Sequence, residues 1–145
     1  MSLNIDEIMA EIEYLISDVN KNVGLIIENI NQWISENSSD KYKDFVKILS
    51  PIVELLVKGG EISKEGASIV KKTEQSIQNF YINIAFKMLQ MNQLMVSLNG
   101  IIKKLDIKEN CLLSEAVVNM KKTLSLEQKI SDLVSKVGEE ANQLK

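Results

Sequence analysis

Between Val70 and Leu105 an apolar side chain recurs at every seventh position, at Val70, Ile77, Ile84, Met91, Leu98 and Leu105. Four residues further on in each repeat stand Tyr81, Met88, Met95 and Ile102, with Glu74 as the exception. A seven-residue apolar repeat keeps one seam of a helix against its neighbours over many turns. The spacing predicts a helix over about 62–105, roughly 65 Å long at about 1.5 Å per residue. Such a length suits an elongated bundle better than a compact one. Apolar residues also leave the seam, at Ile82, Phe86, Leu89 and Val96, and from Gln75 to Ile102 the only charged side chain is Lys87. A helix that is apolar on most sides is ordinarily buried on most sides. Amides and serines, together with Lys87 and Gly100, interrupt this stretch too often for a transmembrane span.

The same period runs through the first forty residues. Ile5, Ile12, Val19, Ile26 and Trp33 form one row, flanked by Met9, Ile16, Val23 and Ile30, and predict a helix over about 4–36. Asn4 is a candidate cap, and Asp6 and Glu7 suit the positive end of the helix dipole. Asn22 and Asn29 interrupt the apolar face where Ile8 and Leu15 hold it, and are expected half-solvated at the edge of the seam. After the turn at Asn37–Asp40 a shorter helix is predicted over about 40–58, with Tyr42, Phe45, Leu49, Ile52 and Leu56 on one face. Pro51 either restarts that helix behind Ser50 or kinks it, and Gly59-Gly60 ends it. The following linker, through Gly66, is a candidate hinge. Asp106 and Glu109 have the spacing of a capping box and predict a last helix over about 109–143. Its apolar stripe, Leu113, Val117, Met120 and Leu124, changes phase near 123–126 before Ile130, Leu133 and Val137 resume it, and Ser125 with Gln128 has the spacing of a cap there, so the helix is either continuous or in two pieces.

These elements predict an all-α chain forming one domain over 1–145, an elongated antiparallel bundle of about four helices of coiled-coil character. The third helix is expected at its centre. The second helix is too short to cover that long helix along its whole length. Part of the surface at Ile82, Phe86, Leu89 and Val96 is therefore expected to remain for another chain, and dimerisation would complete the bundle. Trp33, the only tryptophan, is expected to close the end of the core or to stand out as an anchor for a partner.

Composition changes the picture chiefly by exclusion. The chain has no histidine and no arginine; all 17 basic residues are lysine. The commonest general base and metal ligand is thus missing, as is bidentate clamping of phosphate. No glycine-rich phosphate loop, metal-ligand cluster or nucleophile with a base is present, so no catalytic residue, metal or cofactor is expected. Net charge is −3, distributed as −7 over residues 1–40 and +4 over residues 41–145, which argues against nucleic acid as a partner. The acids at Asp6, Glu7, Glu11 and Glu13 and the pairs Lys71-Lys72, Lys103-Lys104 and Lys121-Lys122 are expected at solvated surfaces. Cys111 is the only cysteine, so no disulfide is expected within the chain, and Met1–Glu7 has neither a basic n-region nor an apolar h-region, so no ordinary signal peptide is expected. A cytoplasmic protein is the expectation, with leaderless export left open.

Together these features point to a non-enzymatic interaction protein of assembly, adaptor or export-chaperone type. It would work through helix faces and bind a second copy of itself or another helical protein. Two alternatives remain: a membrane-active protein that exposes residues 80–102, and a carrier of a small apolar ligand among Met88, Met91, Met95 and Met120.

Overall fold

A computed structural model describes residues 5–62 and 73–143. Among the described residues the chain is an all-α bundle of four helices, α1 (Ile5–Glu36), α2 (Lys43–Gly59), α3 (Glu74–Ile102) and α4 (Cys111–Gln143), with a 3₁₀ turn at Asp40–Tyr42. Contacts fix an antiparallel order. Trp33 at the end of α1 meets Glu109 just before α4, Val23 of α1 lies against Gly60 at the end of α2, and Ile77 at the start of α3 lies against Gly138 near the end of α4.

The centre of the bundle is α4, not α3. Among the described residues α4 packs along both α1 and α3, whereas α1 and α3 nowhere bring their Cα atoms within 8 Å of each other. The reason lies in a seam that the sequence pattern conceals. Leu113, Ala116, Met120, Thr123, Glu127, Ile130, Val134 and Val137 are all buried and alternate in steps of three and four. That is an unbroken heptad register, with polar side chains at two of its positions. What reads as a change of phase is a change of polarity, and α4 runs through 123–126 without a break. Thr123 is accommodated because its hydroxyl donates to the carbonyl of Asn119, one turn back, at 2.8 Å.

Helix boundaries depart from expectation where local bonding decides them. Thr73 caps α3: its backbone is extended and its side-chain oxygen accepts from the Ser76 amide at 3.1 Å. The helix thus begins at Glu74 rather than near 62, and Val70, Gly66 and Lys71-Lys72 lie outside the described residues, as does Asn4. At its other end α3 stops at Ile102, short of Leu105. The predicted capping box is half made. Glu109 reaches back towards the Asp106 amide at 3.4 Å, but the two residues close a turn, and α4 begins only at Cys111. Pro51 neither restarts nor divides α2, and it sits on the solvent side, where the amide it lacks is least missed.

The 17 residues of α2 span about 26 Å. The ammonium of Lys87 on α3 reaches the carbonyls of Gly59 and Glu61, so α2 ends beside the middle of α3 and covers only one half of the bundle. Beyond that level the described core consists of α1, α3 and α4. The short helix contributes a small buried apolar face, Leu49, Ile52 and Leu56, where α1 contributes nine buried residues along its length.

Candidate functional site

Two faces of α3 differ only by the phase of the residues that line them. Ile77, Phe80, Ile84, Met91, Leu94, Leu98 and Ile101 are buried in the bundle. About half a turn away Ile82, Phe86, Leu89 and Val96 are exposed by 49%, 64%, 55% and 65%. Their spacing of four, three and seven places them in one row along the helix, with Gln93 one turn beyond Leu89 and Gly100 one turn beyond Val96. Both Gln93 and Gly100 are exposed, and a Cβ at Gly100 would meet no other atom within 4 Å. This row contains no charged residue. Lys87, the only charge in the stretch, turns towards α2. Four of the five sequence-predicted interface residues therefore share one outward face.

The fifth does not join them. Trp33 is 1% exposed and closes the end of the core. Its indole N–H donates to the Glu109 carbonyl at 2.5 Å, and its ring meets Tyr42 edge-on with centroids 5.7 Å apart. The Tyr42 hydroxyl donates to the Glu109 carboxylate, which Lys41 approaches at 3.5 Å. Hydrogen bonding from Tyr42, aided by the Asp106 amide and the charge of Lys41, holds the Glu109 carboxyl below its ordinary range. The same bond raises the pKa of Tyr42. Together these groups bolt α1, the 3₁₀ turn and the entry to α4 into one end of the bundle.

A second polar cluster crosses the middle. Lys87 donates to Gly59 O at 2.5 Å and to Glu61 O at 2.9 Å. Asn20 of α1 grips the next residue by both ends, donating to Ile62 O at 3.0 Å and accepting from Ile62 N at 2.8 Å. Glu127 of α4 faces Lys87 from within the core, 2% exposed, and its Oε1 has no hydrogen-bond partner. Burial pushes the Glu127 carboxyl up to about 7, against the pull of the Lys87 charge, and burial likewise lowers the pKa of Lys87. Spacing alone contained the signal for Glu127, which stands three residues before Ile130 and four after Thr123 in the α4 register. Asn22 and Asn29 are half-buried as expected, although the Asn29 Nδ2 is enclosed without a partner.

Two shallow clefts open among the described residues. One of about 270 Å³ lies beside the end of α2, between Glu61, Ile62, Phe80, Phe86 and Lys87; another of about 430 Å³ lies between Ile34, Ser39, Lys43 and Lys47. Met91 and Met120 are core residues, and Met88 and Met95 pack against that core half-buried. Among the described residues no group of three cysteine, aspartate or glutamate side chains is placed to hold a metal ion. No described helix is long and apolar enough to cross a membrane. No family model matches the chain, and comparison with curated proteins and with solved structures finds no match either.

Proposed function

We propose that this chain is a non-enzymatic interaction protein whose working surface is the outward row of α3, and that the occupant of that surface is a second copy of the chain. The observation that carries this reading is the exposure of Ile82, Phe86, Leu89 and Val96 in one uncharged row on the side of α3 away from its core seam. Exposed apolar rows of this kind mark contact sites in proteins that otherwise bury their apolar faces. The chemistry of the row favours a second copy. A partner helix carrying charges would have to bury them without counter-charges, at a cost of several kcal/mol for each ion even after relaxation. A second copy presents the same uncharged face, and the flanking amides Asn92 and Gln93 can bond to their own kind, which hydrocarbon chains cannot do.

The test is the mass in solution by light scattering over a tenfold range of concentration, for the natural chain and for Phe86→Lys. A dimer that becomes a folded monomer on substitution is the expected result. A natural chain that stays monomeric throughout sinks self-association. Binding of that monomer to anionic vesicles, lost in Phe86→Lys, would then move the surface to the membrane-active reading.

A further inference from the structure

The lightest packing in the bundle is that of α2, and polar groups fix its end. Its apolar face contributes three buried residues. Its last residue and the segment to Ile62 are fixed by four hydrogen bonds, two from Lys87 to Gly59 and Glu61 and two between Asn20 and Ile62. Carbonyls at a helix C-terminus have no partner within the helix, so an ammonium there satisfies groups that would otherwise depend on water. Lys87 is thus a clasp, and it has one competitor for its charge.

That competitor is Glu127. It is enclosed on α4 with an oxygen that no donor reaches, and Lys87 is the charged group that acts on it. The other surroundings are neutral. On its own helix, one turn to either side, stand Thr123 and Ser131. The amide of Asn20 on α1 is already bonded to Ile62. The end of α2 offers main-chain carbonyls, while the charges of Lys58 and Glu61 are out in solvent. We propose that Glu127 and the carbonyls at the end of α2 compete for the Lys87 ammonium, so that the attachment of α2 responds to pH.

Protonated, Glu127 is uncharged and exerts no ionic pull, and Lys87 stays on Gly59 and Glu61. Ionised, it is a buried carboxylate lacking a donor, the costliest kind of unpaired group, and the nearest cation is on a long flexible side chain. Drawing Lys87 inwards forms the ion pair and frees the two carbonyls to water. The end of α2 then loosens as pH rises through about 7, the value to which burial has pushed this carboxyl.

Hydrogen exchange of residues 54–62, measured at pH 6 and pH 8 and corrected for the intrinsic pH dependence of exchange, tests this. In the natural chain protection there is expected to fall about tenfold at pH 8, the factor carried by one pH unit beyond the transition, while the core of α1 and α4 stays protected. In Glu127→Gln the fall disappears and protection stays high at both values. In Lys87→Gln it is low at both; should that variant not fold, by circular dichroism, Glu127→Gln decides alone. Equal protection at both pH values in the natural chain overturns the proposal, and so does a fall that persists in Glu127→Gln.

Discussion

Ile84 and Phe86 stand two residues apart on α3 and belong to different surfaces: Ile84 is fully buried in the bundle, and Phe86 is 64% exposed. Placing a charge at each position separates the fold from the function. Ile84→Asp puts an unpaired carboxylate into a packed core and is expected to cost more than about 4 kcal/mol, enough to unfold a domain of ordinary stability. Phe86→Asp meets only solvent in the isolated chain, and its stability is expected to stay within about 0.5 kcal/mol of the natural value. Thermal unfolding of the two variants checks the pair. Similar losses would mean that Phe86 is part of the core after all.

The two faces explain how far the fold was legible. Rows of seven read from the apolar residues alone found α1, α3 and α4, and the phase of Ile82, Phe86, Leu89 and Val96 against Ile84 and Met91 placed those residues outside the seam. What the pattern hid was polar. Thr123 and Glu127 occupy seam positions on α4, so a continuous register looked broken and the centre of the bundle was assigned to α3. The Lys87 and Asn20 bonds join residues 26 to 42 positions apart, and pairing at that range leaves no periodic trace. Trp33 was ambiguous for a similar reason: its burial depends on Tyr42 and Glu109, which no local rule connects to it.

The cluster around Trp33 makes a spectroscopic prediction. As the single tryptophan, fully enclosed, it should emit at short wavelength in the native chain and shift to the red on unfolding. Trp33→Phe removes a donor from the Glu109 carbonyl and leaves a void at the end of the core, an expected loss of about 2–3 kcal/mol. Tyr42→Phe acts on the acid limb instead. Because hydrogen bonding holds the folded Glu109 pKa below its unfolded value, its contribution is present above the unfolded pKa and disappears as pH falls through the folded one. A denaturation series from pH 7 down to pH 3 should show the natural chain losing stability more steeply than Tyr42→Phe; parallel curves would remove Glu109 from the account.

Glu127 contributes with the opposite sign. Its folded pKa of about 7 lies above the unfolded value of 4.5, so between these pH values the unfolded chain gives up its proton first. Stability is therefore expected to fall as pH rises from about 4.5 to 7, by about 3 kcal/mol at most for a shift of this size. Glu127→Gln keeps the shape and removes the charge, and should be the more stable protein at pH 8 while differing little at pH 4.5. Urea denaturation at the two pH values gives the comparison. A variant equal to or weaker than the natural chain at pH 8 would show that the carboxylate is paired or hydrated in solution.

Two glycines should respond to alanine in opposite directions. At Gly60 an added Cβ would lie 2.5 Å from the Leu56 carbonyl oxygen and 2.9 Å from Cγ1 of Val23. The Leu56 oxygen is held in place by the bond it accepts from the Gly60 amide, and the fully buried Val23 cannot yield without moving the end of α2 away from α1. At Gly24, inside α1, an added Cβ would meet no other atom within 4 Å. Gly24→Ala is thus expected to stabilise the chain by about 0.5–1 kcal/mol through helix propensity alone. Gly60→Ala is expected to cost about 1–3 kcal/mol, as overpacking does elsewhere. The loss should fall on α2 first, because its end meets α1 through this contact and the Asn20 bonds to Ile62. Melting temperatures that move in opposite directions for the two variants, with hydrogen exchange in Gly60→Ala raised in α2 before α4, would establish that close approach at Gly60 is what lets the short helix dock.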